Sequence, residues 1–191
     1  HSIARFEREV QLTCGLTHTN TIALYDYGRT PEGLSYYAME YLEGLALDKL
    51  VQDYGRQPEG RLIHILRQVC GSLAEAHAQG LVHRDIKPAN IVLTQRGGIP
   101  DFVKVLDFGL VKARKLEGQA ELTGATATLG TPLYMSPEAV EHPDRVDARS
   151  DLYSLGCVGY YLLTGATVFA GLSGGEILLQ QVRSVPEKPS V

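Results

Sequence analysis

The chain has 191 residues, 44% of them apolar and 21% charged, with a formal net charge of -4 at pH 7. This length and composition predict one globular domain with a buried core. The acidic balance and the scattered Lys and Arg residues argue against a nucleic acid as the main ligand. The longest nearly uninterrupted apolar stretch, residues 155–163, falls short of the roughly 18 residues that a membrane span needs, so we expect no span within this chain.

The three cysteines, Cys14, Cys70 and Cys157, are far apart and lie among apolar residues. This pattern favours buried thiols in a reducing compartment over disulfides. No His or Cys pair has the spacing typical of a zinc site. We therefore expect a cytoplasmic domain without a structural metal, although a membrane anchor could lie outside this chain.

The first half of the chain predicts helices and one hairpin. Apolar residues recur at helical spacing over residues 3–14, which indicates an amphipathic helix. Two Tyr-rich apolar runs, residues 22–27 and 34–41, are separated by a Gly- and Pro-containing stretch and predict a β-hairpin. After Gly44 the pattern becomes helical, and residues 61–78 carry the clearest helical period of the sequence.

The second half predicts a second hairpin and two more helices. Short apolar runs at residues 91–93 and 103–106 flank a turn-rich stretch. Residues 110–132 have no sustained apolar period, and so long a connection inside a compact domain is usually functional. Residues 151–163 are apolar on nearly every side, which predicts a helix buried all round, and residues 176–183 predict a last helix.

Three short motifs carry the functional information. In chain order they are His83-Arg84-Asp85-Ile86-Lys87-Pro88-Ala89-Asn90, Asp107-Phe108-Gly109 and Ser136-Pro137-Glu138. They resemble the signatures of the protein kinase family, and the stretches at residues 105–110 and 133–138 resemble its bacterial Ser/Thr branch. The resemblance implies an α+β fold with two lobes, in which part of a small antiparallel N-terminal sheet joins a mainly α-helical C-terminal lobe.

The resemblance also divides the chain. Residues 1–191 would be part of a kinase domain, with residues 1–40 the remnant of the N-terminal lobe and residues 41–44 the hinge. Residues 45–191 would form the C-terminal lobe, and its activation segment would run over residues 107–138. The family's Gly-rich loop and ATP-anchoring lysine should precede residue 1, and two more helices should follow residue 191. We therefore expect the sequence to be a fragment of a longer protein.

The catalytic roles follow from this resemblance. Phosphoryl transfer needs a positioned acceptor hydroxyl and positive charge against the phosphate oxygens. Asp85 would accept or orient the proton of the hydroxyl, and Lys87 would lie near the transferred phosphate as a compact cation, as is typical of Ser/Thr-directed members. Asn90 and Asp107 would bind magnesium or manganese between the phosphates.

The same resemblance assigns the ATP site. Glu9 matches the acidic residue that pairs with the ATP-anchoring lysine, although a lone glutamate on a helix is usually a surface charge. Residues 39–44 resemble the strand that contacts the adenine edge, here called the adenine-contacting segment. Glu40 and Leu42 would contribute backbone groups, Met39 would limit the depth of the pocket and Val92 would form its floor. These four residues could equally be ordinary strand residues.

The activation segment contains four threonines with implied roles. Thr131 matches the substrate-shelf threonine that would bond Asp85 and Lys87. The remaining three are candidates for phosphorylation: Thr123, Thr126 and Thr128. A phosphate would add about -1.5 to -2 charge and could draw the loop onto Arg84. Threonines in a polar loop are also common for solubility alone.

Other residues of the motifs are expected to be structural. An isolated His or Phe is more often core packing than chemistry, and the resemblance places His83 and Phe108 in a stack of apolar side chains that links the two lobes. The remaining members of this stack would be Leu24 and Thr13, and Thr13 is a polar departure from the family pattern. Asp151 matches the aspartate that begins a buried helix and bonds backbone groups of the catalytic loop, which would justify a buried charge.

Three functions are compatible with these residues. The intact set Asp85, Asn90 and Asp107 favours a Ser/Thr protein kinase that uses ATP and acts on protein hydroxyls. A kinase-like scaffold that binds partners without phosphoryl transfer is the alternative if the ATP-anchoring lysine is truly absent. A small-molecule phosphotransferase would share the Asp and Asn spacing but would not need the segments 130–132 and 136–138.

Overall fold

The computed structural model describes residues 11–31, 35–108, 132–171 and 173–189. Five strands lie in the described ranges: β1 Leu24–Arg29, β2 Ser35–Met39, β3 Gly44–Ala46, β4 Ile91–Arg96 and β5 Ile99–Val105. The same ranges contain five named α-helices: α1 Leu47–Tyr54, α2 Glu59–Ala78, α3 Pro137–Glu141, α4 Ala148–Thr164 and α5 Gly174–Arg183. Short 3₁₀ turns lie at Pro88–Asn90, Pro132–Tyr134 and Pro143–Arg145.

Both predicted hairpins are confirmed. Strands β1 and β2 pair antiparallel, and β3, β4 and β5 form a second antiparallel sheet in that order. The second hairpin is longer than its apolar runs suggested, because Arg96 pairs with Ile99 across only two residues. Gly97 and Gly98 have φ values of 57° and 81°, the left-handed conformation that a two-residue hairpin turn requires. Residues 99–101 therefore belong to β5 and not to the turn.

The helix predictions are confirmed where the structure describes them. Helices α2 and α5 cover the two periodic segments, and residues 11–14 are helical while the rest of the first predicted helix lies outside the described residues. Helix α4 also forms, but the prediction that it is buried all round is wrong, since Leu152 is 52% exposed. Cys70 is likewise exposed, contrary to the expectation of three buried thiols. No helix in the described ranges is long and apolar enough to cross a membrane.

One apolar core joins the helices to the second sheet. Helix α2 supplies Ile65, Val69 and Leu73 to it, all almost fully buried. Val158 of α4 and Val105 of β5 belong to the same cluster. Burial of side chains of this size stabilises the fold by about 1.5–3 kcal/mol each. Because β4 and β5 flank two of the sequence motifs, this core holds the motifs against the helices.

The segment before β1 is attached to α2 and β5. The backbone N–H of Val105 donates to the carbonyl of Asn20 at 2.7 Å, and the N–H of Ile22 donates to the carbonyl of Val105 at 2.9 Å. The carboxylate of Glu75, on α2, accepts from the backbone N–H groups of Thr17 and His18 at 2.9 Å. These bonds connect the N-terminal part of the chain to the same two elements that form the core.

Asp151, in the first turn of α4, supports the loop that carries the first motif. Its side chain is almost fully buried and accepts from the backbone N–H groups of His83 and Arg84, both at 2.8 Å. The imidazole of His77 bonds the same carboxylate at 2.7 Å. The expectation that Asp151 bonds backbone groups of this loop is thereby confirmed.

Gly44 is the point where the predicted hinge meets the second sheet, since it is the first residue of β3 and pairs with Thr94. A Cβ atom at this position would lie 2.4 Å from the carbonyl oxygen of Leu93 and 2.7 Å from Cγ1 of Val92. Both distances are shorter than real Cβ contacts, so the approach of β3 to β4 requires glycine here.

We predict that Asp151→Asn destabilises the fold by about 3 kcal/mol, because an amide NH₂ would face backbone donors inside the core. The measurement is the free energy of unfolding in urea. The matched control is Asp147→Asn, which changes an exposed N-cap that asparagine also satisfies. Equal stabilities of the two variants would contradict the structural role of Asp151.

We also predict that Gly44→Ala lowers the free energy of unfolding by about 1–3 kcal/mol through the clash with β4. Gly60→Ala is the control, since Gly60 lies in helix α2 with no atom within 4 Å of its Cβ position. Alanine there should stabilise the helix by about 0.5–1 kcal/mol. Thermal or urea unfolding of the two variants should thus shift in opposite directions.

Candidate active site

Asp85, Lys87 and Asn90 converge at the start of β4. The Lys87 Nζ donates to Asp85 Oδ2 at 2.7 Å, and Asn90 Nδ2 donates to the same oxygen at 3.0 Å. Asn90 Nδ2 also donates to the backbone carbonyl of Asp85 at 2.8 Å. Within the described ranges, both side-chain contacts of the Asp85 carboxylate use Oδ2, so Oδ1 is the oxygen that can face an acceptor hydroxyl.

The amide of Asn90 can point in only one direction. Both of its partners, the carbonyl and the carboxylate of Asp85, are acceptors, so the nitrogen must face them. The oxygen Oδ1 therefore faces away from Asp85. An amide oxygen held in this way is a suitable ligand for a hard cation.

The imidazole of His83 is a structural element of the site. Its Nε2 donates to the carbonyl of Leu106 at 2.8 Å, and its Nδ1 accepts from the backbone N–H of Asp85 at 3.3 Å. Burial lowers the pKa of His83, in keeping with this neutral tautomer. The ring lies 4.5 Å from the ring of Phe108, whose carbonyl accepts from Thr13 Oγ1 at 3.5 Å. The expected packing of His83 against Phe108 is confirmed, whereas the place of Leu24 in the stack stays a prediction.

Two residues of the site have backbone conformations that are uncommon for a side chain with a Cβ. Arg84 has φ of 64° and Asp107 has φ of 57°. Such conformations cost about 1–3 kcal/mol each and persist only where the surrounding structure enforces them. The bond from Arg84 to Asp151 and the 2.9 Å bond from the Leu106 N–H to the Asn90 carbonyl supply that constraint.

Asp107 and Asn90 fit a magnesium ion. Burial raises the pKa of Asp107, and the charge of Asp85 adds to the rise, so a cation beside these carboxylates would relieve an unfavourable accumulation of negative charge. Among the described residues, no three His, Cys, Asp or Glu side chains lie close enough to hold a metal by themselves. The two residues therefore suit an ion that takes its other ligands from phosphates and water.

The residues predicted to contact the nucleotide lie at the junction of the two sheets. Met39 ends β2 opposite Leu24 and is 42% exposed, and Leu42 is half-buried. The backbone N–H of Glu40 donates to the carbonyl of Ala23 at 2.9 Å. Val92, also half-buried, lies in β4. Their contacts with a nucleotide stay predictions.

Sequence reasoning missed Lys104, which lies in β5 and pairs with Glu40. Its Nζ is 2.5 Å from Glu40 Oε1, and the residue is 5% exposed. The signal was a lysine between two valines in an apolar run, because a charge in a buried strand needs a partner. The partner could not be identified from the sequence, as it lies 64 residues away.

Some predicted residues fall outside the described part of the chain. They are Glu9, Thr123, Thr126, Thr128 and Thr131. Their assignments to the ATP site, to phosphorylation and to the substrate shelf therefore stay predictions. The same holds for the proposed contact between a phosphorylated threonine and Arg84.

A family model for the protein kinase domain matches residues 1–189. The serine/threonine-protein kinase PknB of Mycolicibacterium smegmatis is 42% identical over 189 residues, 97% of this chain and 29% of that protein. The serine/threonine-protein kinase pkn3 of Myxococcus xanthus is 38% identical over 190 residues, 99% of this chain and 35% of that protein. The chain thus spans about a third of the length of these curated relatives.

Solved structures show the same fold. A crystal structure of Rad53 in complex with AMP-PNP has a TM-score of 0.75 and 28% sequence identity, covering 93% of this chain and 42% of that one. The kinase domain of Mycobacterium tuberculosis PknI has a TM-score of 0.69 and 27% identity, covering 88% of this chain and 60% of that one. The expected α+β kinase-like fold and the resemblance to bacterial Ser/Thr kinases are confirmed. Since the family match extends over nearly its whole length, the chain belongs to the protein kinase domain family.

Proposed function

We propose that this chain is the catalytic region of a serine/threonine protein kinase, which transfers the γ-phosphoryl group of ATP to Ser or Thr hydroxyls of a protein. The observation that carries the proposal is the convergence of Lys87 and Asn90 on Asp85 Oδ2, at 2.7 and 3.0 Å. Chemistry of this kind is mainly positioning and electrostatic stabilisation. A scaffold without catalysis would not need this arrangement.

In this mechanism each side chain has a distinct task. Asp85 Oδ1 orients the acceptor hydroxyl and receives its proton as the hydroxyl oxygen bonds to the γ-phosphorus. The bond from that phosphorus to the β–γ bridging oxygen breaks, and ADP is the leaving group. Lys87, held by Asp85, presents its charge to the transferred phosphate oxygens. Asn90 Oδ1 and the Asp107 carboxylate would hold magnesium or manganese. When bound, the ion neutralises negative charge on the phosphates.

The nucleotide would lie between the two sheets. Glu40 and Leu42 would bond the adenine edge through their backbones, with Met39 and Val92 against the base and Glu9 paired with a lysine of the complete site. Thr131 would bond Asp85 and Lys87 at the substrate shelf, and phosphates on the activation-segment threonines would bind Arg84. Because the reaction consumes ATP, we place it in the cytoplasm.

Replacement of Asp85 tests the proposal directly. In the full-length protein that contains this sequence, Asp85→Asn should lower phosphate transfer from labelled ATP to a Ser/Thr substrate by about a thousandfold, because the proton acceptor is lost. Asp53→Asn, an exposed aspartate of α1, is the control and should keep the wild-type rate. Equal incorporation by wild type and Asp85→Asn would refute the kinase assignment.

Replacement of Asp107 tests the magnesium site. Asp107→Asn removes a partly buried negative charge beside Asp85, so the ligand-free protein should melt at the same temperature or higher. The additional rise in melting temperature that magnesium gives in the presence of ATP should be lost, because binding stabilises only the folded state. Asp53→Asn should retain that rise. A full magnesium-dependent rise in Asp107→Asn would exclude Asp107 as a metal ligand.

A further inference from the structure

A buried ion pair joins β5 to the adenine-contacting segment. The Lys104 Nζ lies 2.5 Å from Glu40 Oε1 and donates to the carbonyl of Thr21 at 3.1 Å. The exposed fraction of the two side chains is 6% for Lys104 and 21% for Glu40. A lysine so deeply buried is stable as a cation only if a carboxylate and other acceptors surround it.

The carboxylate of Glu40 also bonds the segment before β1. Its Oε1 also accepts from the backbone N–H of Ala23 at 2.9 Å, while the N–H of Glu40 donates to the carbonyl of Ala23 at 2.9 Å. Glu40 is therefore attached to the segment before β1 through both its backbone and its side chain. Lys104 is the group that holds this carboxylate from the side of the second sheet.

Lys104 lies between the other residues assigned to the nucleotide site. It stands directly opposite Val92 in the antiparallel pair of β4 and β5, so both side chains lie on the same face of the sheet. Lys104 is also the second-last residue of β5, and Asp107 follows it by three residues, just beyond the end of that strand. One ion pair thus links the adenine-contacting segment, the floor of the pocket and the strand that leads to the magnesium ligand.

We propose that Lys104 is a positioning residue for ATP, whose ion pair with Glu40 holds the adenine-contacting segment at the correct distance from Val92 and Asp107. This inference rests on the proposed kinase function. Without the ammonium group, the Glu40 carboxylate loses its main partner and turns toward water. The backbone groups of Glu40 and Leu42 then lose the alignment that adenine binding requires, whereas Asp85 and Lys87 are untouched.

The test is the kinetics of Lys104→Met in the full-length protein. Methionine is a flexible unbranched side chain of similar shape, and it removes the charge of Lys104 together with its hydrogen bonds to Glu40 and Thr21. The KM for ATP should rise about tenfold while kcat changes by less than about twofold, since binding geometry and not the transfer step is altered. Lys104→Arg, which retains charge and donors, should restore the wild-type KM to within about threefold.

A second ion pair on the same strand provides the matched control. Arg61 of α2 bonds Asp101 of β5 at 2.7 and 2.8 Å, away from the adenine-contacting segment. Arg61→Met should reduce stability without changing the KM for ATP. If the KM rises equally in Arg61→Met and Lys104→Met, the effect is general destabilisation and the proposal is overturned.

The double variant Glu40→Gln/Lys104→Met identifies the pair as the cause. Because both single changes break the same contact, the double variant should show no higher KM for ATP than the worse single variant. Additive increases would overturn the pairing.

Calorimetric titration of each variant with ATP and magnesium distinguishes a failure of the proposed kinase function from a failure of the proposed role of Lys104. A wild type that neither binds nor transfers refutes the kinase function, whereas a normal wild type with unchanged affinity in Lys104→Met refutes only the role of Lys104.

Discussion

The buried carboxylate of Asp151 is the constraint on which the candidate site depends. It accepts from two consecutive backbone N–H groups of the first motif and from the His77 side chain. An ionised carboxylate inside a core is stable only when donors surround it, so the loop and the helix stabilise each other. The positive φ of Arg84 is maintained by this bond, and the direction of the adjoining Asp85 follows from it.

A neutral side chain, His83, connects the loop bonded by Asp151 to the charged residues of the site. His83, next to the anchored backbone, is fully buried and bonds the loop on one side and Leu106 on the other. Asp85 and Asp107 are thereby brought to the same region while a neutral imidazole, which adds no charge, lies between their backbones. The ammonium group of Lys87 lies 2.7 Å from the Asp85 carboxylate. The negative charge of the Asp85 and Asp107 carboxylates favours binding of a divalent cation together with the nucleotide phosphates.

The adenine-contacting segment, on the other side of the site, is held by a different interaction. There, the ammonium group of Lys104 pairs with the largely buried carboxylate of Glu40, and each also bonds a backbone group of the segment before β1. The bonds of Asp151 and the pair of Lys104 with Glu40 have separate consequences. The bonds of Asp151 orient groups that act on the transferred phosphate, whereas the ion pair holds groups assigned to the adenine base. Both are connected through β5, which carries Lys104 and leads directly into Asp107.

The sequence predicted much of the local structure because local structure depends on short-range patterns. The period of residues 61–78 and the two paired apolar runs correspond to α2 and to both hairpins. It was less successful where burial depends on neighbours from elsewhere in the chain. Leu152 and Cys70 were both predicted to be buried, yet both face outward, since no other described element covers that side of their helices.

What the sequence alone determined is the family and the identity of the chemical groups, because the order of the three motifs depends only on which residues follow one another. Tertiary structure decided how these groups are held. The bond from Asp151 to His83 spans 68 residues and the pair of Lys104 with Glu40 spans 64. No periodicity or local propensity acts over such separations, so these contacts arise only when helices and sheets pack and buried charges must find partners.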